Sequence, residues 1–273
     1  MRPEILKKLD RFREKALSYG VPSDEVERWL AAARPCATLS PRGDGPVVGR
    51  LGGPVLLPVG SPGLPPRTHL IASLDLAALP ADAMTLRLPS DGRLLLIAGY
   101  VDDIPADAFG QAVHVPANTP VEEYPVISGH APDDAWAHLE EALRKEGELR
   151  LTYDVSLPEN ESLIDAAAHP HAWQLGEAWD DVRREDRQLL TPRLQIDGYS
   201  SDPHRETDLV TASAWLAAQK TGEEPRVEDW ALLVQWNGFP RAGGQVYWTI
   251  TKQNAAAGRF EETSVLGFFE SPG

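Results

Sequence analysis

One pattern in this chain occurs twice: an apolar strand, a polar break, then a glycine-led second strand. The first copy is Leu70-Ile71-Ala72-Ser73-Leu74-Asp75, answered by Asp91-Gly92-Arg93-Leu94-Leu95-Leu96-Ile97. The second is Leu232-Leu233-Val234-Gln235-Trp236-Asn237, answered by Gly243-Gly244-Gln245-Val246-Tyr247-Trp248-Thr249-Ile250. Short β-rich runs bounded by Gly and Asp read as paired strands. Their recurrence predicts a duplicated α+β fold, with strand-pair units forming antiparallel or mixed sheets covered by helices. One repeat spans about 48–155 and the other about 190–273. The doubling constrains architecture, and no run of residues in the chain specifies a reaction.

A chain of 273 residues buries roughly 70–75% of the surface its unfolded form exposes, enough for one large core or two fused ones. With 42% apolar and 25% charged residues it lies far from the disordered regime. The net charge of −15, from 41 acidic and 26 basic residues, argues against nucleic acid or an anionic membrane as partner, because both recruit Lys and Arg. It suits a basic protein partner. Residues 1–34 run against that balance, with eight Lys/Arg and six Asp/Glu. They read as a basic helical arm docked on an acidic body. Cys36 is the single cysteine, which excludes an internal disulfide and a cysteine-only metal cage. It reads as a small apolar residue. The first ten residues carry charge through every turn, unlike a secretory signal or a membrane span, so cytoplasmic residence is expected.

Residues 4–19 put Leu6, Leu9, Phe12 and Ala16 on one helical stripe, and Ser23-Asp24-Glu25 opens a second helix that Pro35 stops. The pair reads as an N-terminal helical hairpin, with residues 1–45 as arm and linker and 46–273 as the α+β domain. Residues 40–66 are dense in Gly and Pro, which resists ladder pairing. Strands are expected at about 69–75, 84–88, 93–99, 112–115 and 124–128. Asp133 opens a helix carrying Trp136, Leu139 and Leu143, Arg150–Val155 alternates as a strand, 160–189 reads as helical, and Thr207-Asp208 opens a further helix. A strand pair at 229–251 and a last strand near 260–269 complete the chain. Trp230, Leu232, Val234 and Trp236 fall on one strand face by alternation, and Tyr247 and Trp248 on opposite faces, which leaves one of the two available for exposure.

Several punctuated stretches resemble the YwqG-like family, a bacterial domain family of unknown function. They are Leu51-Gly52-Gly53-Pro54 to Leu57-Pro58, Pro66 with His69–Leu76 and Leu79-Pro80, Leu88-Pro89 with Gly92, Gly198-Tyr199, Leu232–Gln235, and Gly244–Ile250. The resemblance covers roughly 48–270 and implies a duplicated α+β fold without established catalytic residues. The chain departs from the family pattern at Ala242-Gly243 and Gly267-Phe268, so a site resting on that turn or on a cysteine there does not carry over.

His169-Pro170-His171 has the spacing of two metal ligands on one strand face, with Asp180, Asp181, Asp202 or His204 as a third. The intervening proline favours two solvent-facing loop histidines, so no metal is assigned. His130, Asp133 and Asp134 fit a helix start. Asp202-Pro203-His204-Arg205-Glu206 brings a carboxylate and an imidazole together in a loop, the components of acid/base chemistry, or else forms a polar turn. Gly60-Ser61-Pro62-Gly63 lacks the spacing of a nucleophile elbow, and the glycine patterns that cradle dinucleotides and triphosphates do not occur. No cofactor is therefore expected.

Two readings of function follow. The first is a non-enzymatic binding or interaction module, regulatory or immunity-type, for a basic protein. The alternative is a small-ligand-binding protein or enzyme with its site in the groove between the repeats, where Asp202, His204 and Gln235 are the candidates. The two are separated by whether the loop 198–206 folds over the second sheet or stays outside.

Overall fold

In the computed structural model, which describes residues 2–43, 45–64, 68–99, 110–125, 143, 147–159, 163, 167–186, 193–201, 208–237 and 245–268, strands built from the apolar runs form one continuous sheet. Helices α1 (Pro3–Ser18) and α2 (Ser23–Ala31) precede β1 (Arg34–Ser40), β2 (Val47–Leu51), β3 (Val55–Pro58), β4 (Thr68–Asp75), β5 (Arg93–Gly99), β6 (Gly110–Val115), β7 (Val121–Tyr124) and β8 (Gly147–Ser156). Then come α3 (Ala172–Glu185), β9 (Arg193–Ile196), α4 (Leu209–Thr221), β10 (Trp230–Asn237), β11 (Gln245–Thr251), α5 (Lys252–Ala256) and β12 (Ser264–Phe268). The large sheet has ten strands in the order β12-β11-β10-β9-β1-β8-β2-β4-β5-β6, and β3 and β7 form a separate two-stranded ribbon. All pairings are antiparallel. The end strands β6 and β12 approach each other, so the sheet is nearly closed. The Trp248 indole donates to Gln111 O at 3.2 Å across that seam. The fold is α+β. No helix among the described residues is long and apolar enough to cross a membrane.

The enclosed face holds the main core, to which Ile71, Leu74, Leu94, Leu96, Leu233, Val234, Trp236 and Trp248 contribute. Three covers close the outside. The β3–β7 ribbon lays Val55 and Leu57 over Leu70, Leu95, Ile97 and Val115. Helix α4 lays Leu209 over Leu232, Tyr247 and Leu266. The third cover is α1, α2 and α3, packed around Phe12, Trp29, Trp179 and Val155. Under it Lys8 Nζ meets Asp154 Oδ1 at 2.7 Å with both side chains buried, and Thr38 donates to the other carboxylate oxygen at 3.0 Å. Removing one partner of such a pair strands a buried charge, typically a loss of about 3–5 kcal/mol. The N-terminal helices are thereby docked, with Arg11 on Asp186 and Lys15 on Asp181 along the α1–α3 seam.

Several expectations need correction. Residues 34–40, read as linker, form β1 in the middle of the sheet, between β8 and β9. The Gly- and Pro-rich stretch contains β2 and β3, because its prolines fall beside or at the end of those strands and cost the ladder little. Residues 84–88 form no strand, since the backbone N–H groups of Thr85 and Leu86 go to a side chain, Asp197. The alternation through β10 is broken by a bulge between Leu232 and Val234. Leu232 therefore faces α4, while Leu233, Val234 and Trp236 face the core. Tyr247 and Trp248 do point to opposite faces, and both are fully buried. Cys36 is buried and free of disulfide. The expected helix from Asp133 lies outside the described residues apart from Leu143.

The registers repeat. Strand β4 meets β5 with Leu70↔Ile97, Ala72↔Leu96, Ser73↔Leu95 and Leu74↔Leu94, bulged at Ile71. Strand β10 meets β11 with Leu232↔Thr249, Val234↔Trp248, Gln235↔Tyr247 and Trp236↔Val246, bulged at Leu233. Leu51 pairs with Ala72 just before Gly52 and Gly53, and Ile196 pairs with Val234 just before Asp197 and Gly198. Those four residues have φ of +64°, +92°, +62° and +82° in turn.

Candidate functional site

Asp197 is the one unexpected residue of that set. A left-handed backbone costs a non-glycine residue energy that its surroundings must offset. Here the side chain does so. Its Oδ2 accepts from Thr85 N at 2.6 Å, Thr85 Oγ1 at 2.7 Å and Leu86 N at 2.7 Å, and its Oδ1 from Gly198 N at 2.7 Å. Asp197 is 5% exposed, and it joins the 84–88 segment to the end of β9. Beside it lies a cavity of about 210 Å³ lined by Thr85, Leu86, Arg87, Asp197, Ala231, Lys252 and Ala256. Its walls come from the β4–β5 connection on one side and from β10 and α5 on the other. Lys252 Nζ donates to Glu228 O at 2.7 Å on the rim.

From Asp197 the chain turns onto the outer face of the sheet, where a row of polar side chains receives it. Thr38 pairs with Gln195, Gln195 with Gln235, and Gln235 with Tyr247, so the row runs straight across four strands. Gln195 Nε2 donates to Asp197 O at 3.0 Å and Tyr199 O at 2.8 Å. Gln235, 1% exposed, accepts from Ser201 N at 2.9 Å through Oε1 and directs Nε2 at Ser201 O and Oγ. The Tyr247 hydroxyl meets Ser201 O at 2.7 Å and also Gln245 Oε1. Ser156 Oγ accepts from Tyr199 N, and Ser200 Oγ donates to Asp208. Asp208 in turn caps α4 through Thr211 N at 2.8 Å. Buried loop backbone requires such partners, and these side chains supply them. Burial pushes the Tyr199 phenol up, opposed by the Arg34 guanidinium 4.0 Å over its ring.

Of the residues singled out in the sequence, Gln235 is thus the hub that holds Ser201, the residue before the acid/base candidates. Asp202 and His204 lie outside the described residues, as do Glu206, His130, Asp133 and Asp134. The described part of the loop, 198–201, does fold over the second half of the sheet. His169 and His171 lie in a loop and are half-buried. His171 gives its N–H to Glu25 Oε1 at 2.9 Å, and its Nδ1 lies 2.8 Å from Glu25 Oε2, while the His169 ring packs edge-on against Trp29 at 5.2 Å. Arg28 adds a bond to Ala168 O at 3.1 Å, so these histidines fasten α2 to the start of α3. Asp180 pairs with Arg183, and Asp181 with Lys15 and Arg184. Among the described residues no group of three or more His, Cys, Asp and Glu is placed to hold a metal ion.

Asp197, Arg87 and Lys252 were not singled out from sequence. The only signal was Asp197-Gly198 after a strand, and Asp-Gly ordinarily marks a turn. No protein-family model matches the chain, and no curated protein matches it.

Proposed function

We propose that this protein is a non-enzymatic binding module built by internal duplication, whose ligand enters the cavity between the two halves. The observation that carries the reading is the cavity itself: about 210 Å³, walled by both halves and held open by the four bonds of Asp197. Preformed pockets at the junction of structural units are the common location of ligand sites. In support of the duplication, β2, β4, β5 and β6 correspond to β9, β10, β11 and β12 with matching pair registers, matching bulges and matching left-handed pairs at the strand ends. On the same reading α1 and α2 form a helical hairpin over the sheet, and the chain is a member of the YwqG-like family that its punctuated stretches resemble. The charge of −15 leaves a basic protein as a further partner, detectable as a complex released by salt.

Native mass spectrometry of protein purified gently from its host tests the cavity. A small molecule is expected on the wild type and absent from Ala256→Trp, which fills the rim from an exposed position of α5. A ligand retained unchanged by the folded variant would place binding elsewhere.

A further inference from the structure

We infer that the cavity takes a small aliphatic monocarboxylate, a conclusion that rests on the binding reading above and names the ligand class. Among the described residues Asp197 is the only acid lining the cavity, and both of its oxygens are engaged by its own wall. Oδ2 takes bonds from Thr85 N, Thr85 Oγ1 and Leu86 N, and Oδ1 takes one from Gly198 N, at 2.6–2.7 Å. Only the second lone pair of Oδ1 is left for a donor on a ligand. Most of the polar chemistry open toward a guest is cationic. Arg87 is exposed and has no hydrogen-bond or ion-pair partner among the described residues. Lys252 spends one proton on Glu228 O and keeps two. In a chain of net charge −15, two cations on one rim beside an acid engaged by its own wall make a local exception to the acidic surface.

The remaining walls are Leu86, Ala231, Ala256 and the methyl of Thr85, which favour an aliphatic body over a fully hydrated ion. At about 210 Å³ the cavity lies below the roughly 300–1,000 Å³ of pockets for drug-sized ligands and admits only a small guest. A carboxylate headgroup on a chain of four carbons meets that size, with the head between Arg87 and Lys252 as a charge-assisted acceptor and the chain against the alanines.

Isothermal titration with pentanoate, its neutral amide pentanamide and inorganic phosphate decides the matter. Pentanoate is expected to bind the wild type, with pentanamide and phosphate each at least ten-fold weaker. Arg87→Gln and Lys252→Gln are each expected to weaken pentanoate about ten-fold at unchanged melting temperature, since both residues are exposed. Pentanamide binding as tightly as pentanoate, phosphate binding more tightly, or pentanoate binding untouched by both substitutions would overturn the carboxylate inference. Failure of pentanoate alone leaves the cavity reading standing if pentanamide still binds and Ala256→Trp abolishes it. No binding of any probe, with no molecule carried from the host, would sink both readings together.

Discussion

The two halves of the sheet share an inner face and differ on the outer one. Toward the core, Leu94, Leu96 and Ala98 of β5 occupy the register positions that Val246, Trp248 and Ile250 occupy in β11, and all six are buried in one cluster. On the outside the same strands present Leu95 and Ile97 in the first half, and Tyr247 and Thr249 in the second. Ser73 has Gln235 as its counterpart. The difference follows the cover. The two strands of the β3–β7 ribbon pair with each other and ask only for apolar area beneath them. The 197–201 loop has backbone groups that no ladder takes up, so the strands below it must carry amides and hydroxyls. The end of β2 makes the same point: a Cβ on Gly52 would lie 2.0 Å from Leu143 O, whereas Asp197, at the matching register position, has room for a carboxylate and a cavity beside it. Where the first half is filled, the second leaves a cavity.

If the first half's outer face is held by apolar burial alone, Ile97→Ala should give the largest loss. Ile97 is fully buried under Val55 and Leu57, and large-to-small changes at such positions cost about 2–5 kcal/mol. Denaturant unfolding measures it, and amide exchange should rise in the ribbon while the 198–201 loop stays protected. Equal loss of protection in both regions would mean that the two covers are not separable.

Gln235→Leu is the matching test on the other side. It removes the amide under the loop and strands Ser201 N–H, while Ser201 O keeps the Tyr247 hydroxyl, at about 1–3 kcal/mol for the buried group left unpaired. Exchange should rise at 199–201 and leave the ribbon unchanged. A neutral or stabilising result would show that the polar row is dispensable for the loop and would shift its explanation toward the ligand.

How much of this was legible in the sequence depends on the range of the interaction. The strand pairs were, because β-branched and aromatic runs end at Gly and Asp within a few residues of each other. Their faces were not fully so: the bulges at Ile71 and Leu233 reverse the alternation of every residue before them, and nothing in Leu232-Leu233-Val234 marks which residue is extra. The polar row was invisible because Thr38, Gln195, Gln235 and Tyr247 come from four separate strands, and only register aligns them. Residues 84–88 look like a strand by composition, yet their donors serve Asp197, more than a hundred residues away. His169 and His171 do lie in a loop, as their sequence reads, but their partners Glu25 and Trp29 belong to a helix more than a hundred residues away. Gln235 was found through its strand motif, although its role is to hold a loop.

The third cover, the N-terminal helices, combines both devices, and pH separates them with the smallest expected effect. Its apolar part resembles the ribbon, with Phe12 edge-on to Trp179 at 5.9 Å. Its rim is ionic. The Asp181 carboxyl lies below the ordinary carboxylate value, held down first by the Tyr19 hydroxyl and further by Lys15 and Arg184, with burial opposing. Glu27 is held down in the same direction by Arg13. A carboxyl whose pKa is lowered on folding contributes stability that is fully present above its unfolded value, about 3.9 for Asp, and is lost as pH falls through the lower folded value. Docking of the helices should therefore loosen in acid, below about pH 4. Asp181→Asn should remove part of that dependence while leaving stability at neutral pH nearly unchanged, because exposed pairs are screened. Tryptophan fluorescence reports it directly, since Trp29 and Trp179 lie in the packed cluster beneath. Parallel acid titrations of wild type and Asp181→Asn would mean that this rim carboxylate takes no part in docking, which would then rest on the apolar cluster and the buried Lys8–Asp154 pair, a polar partner that the ribbon lacks and the loop of the second half shares in kind.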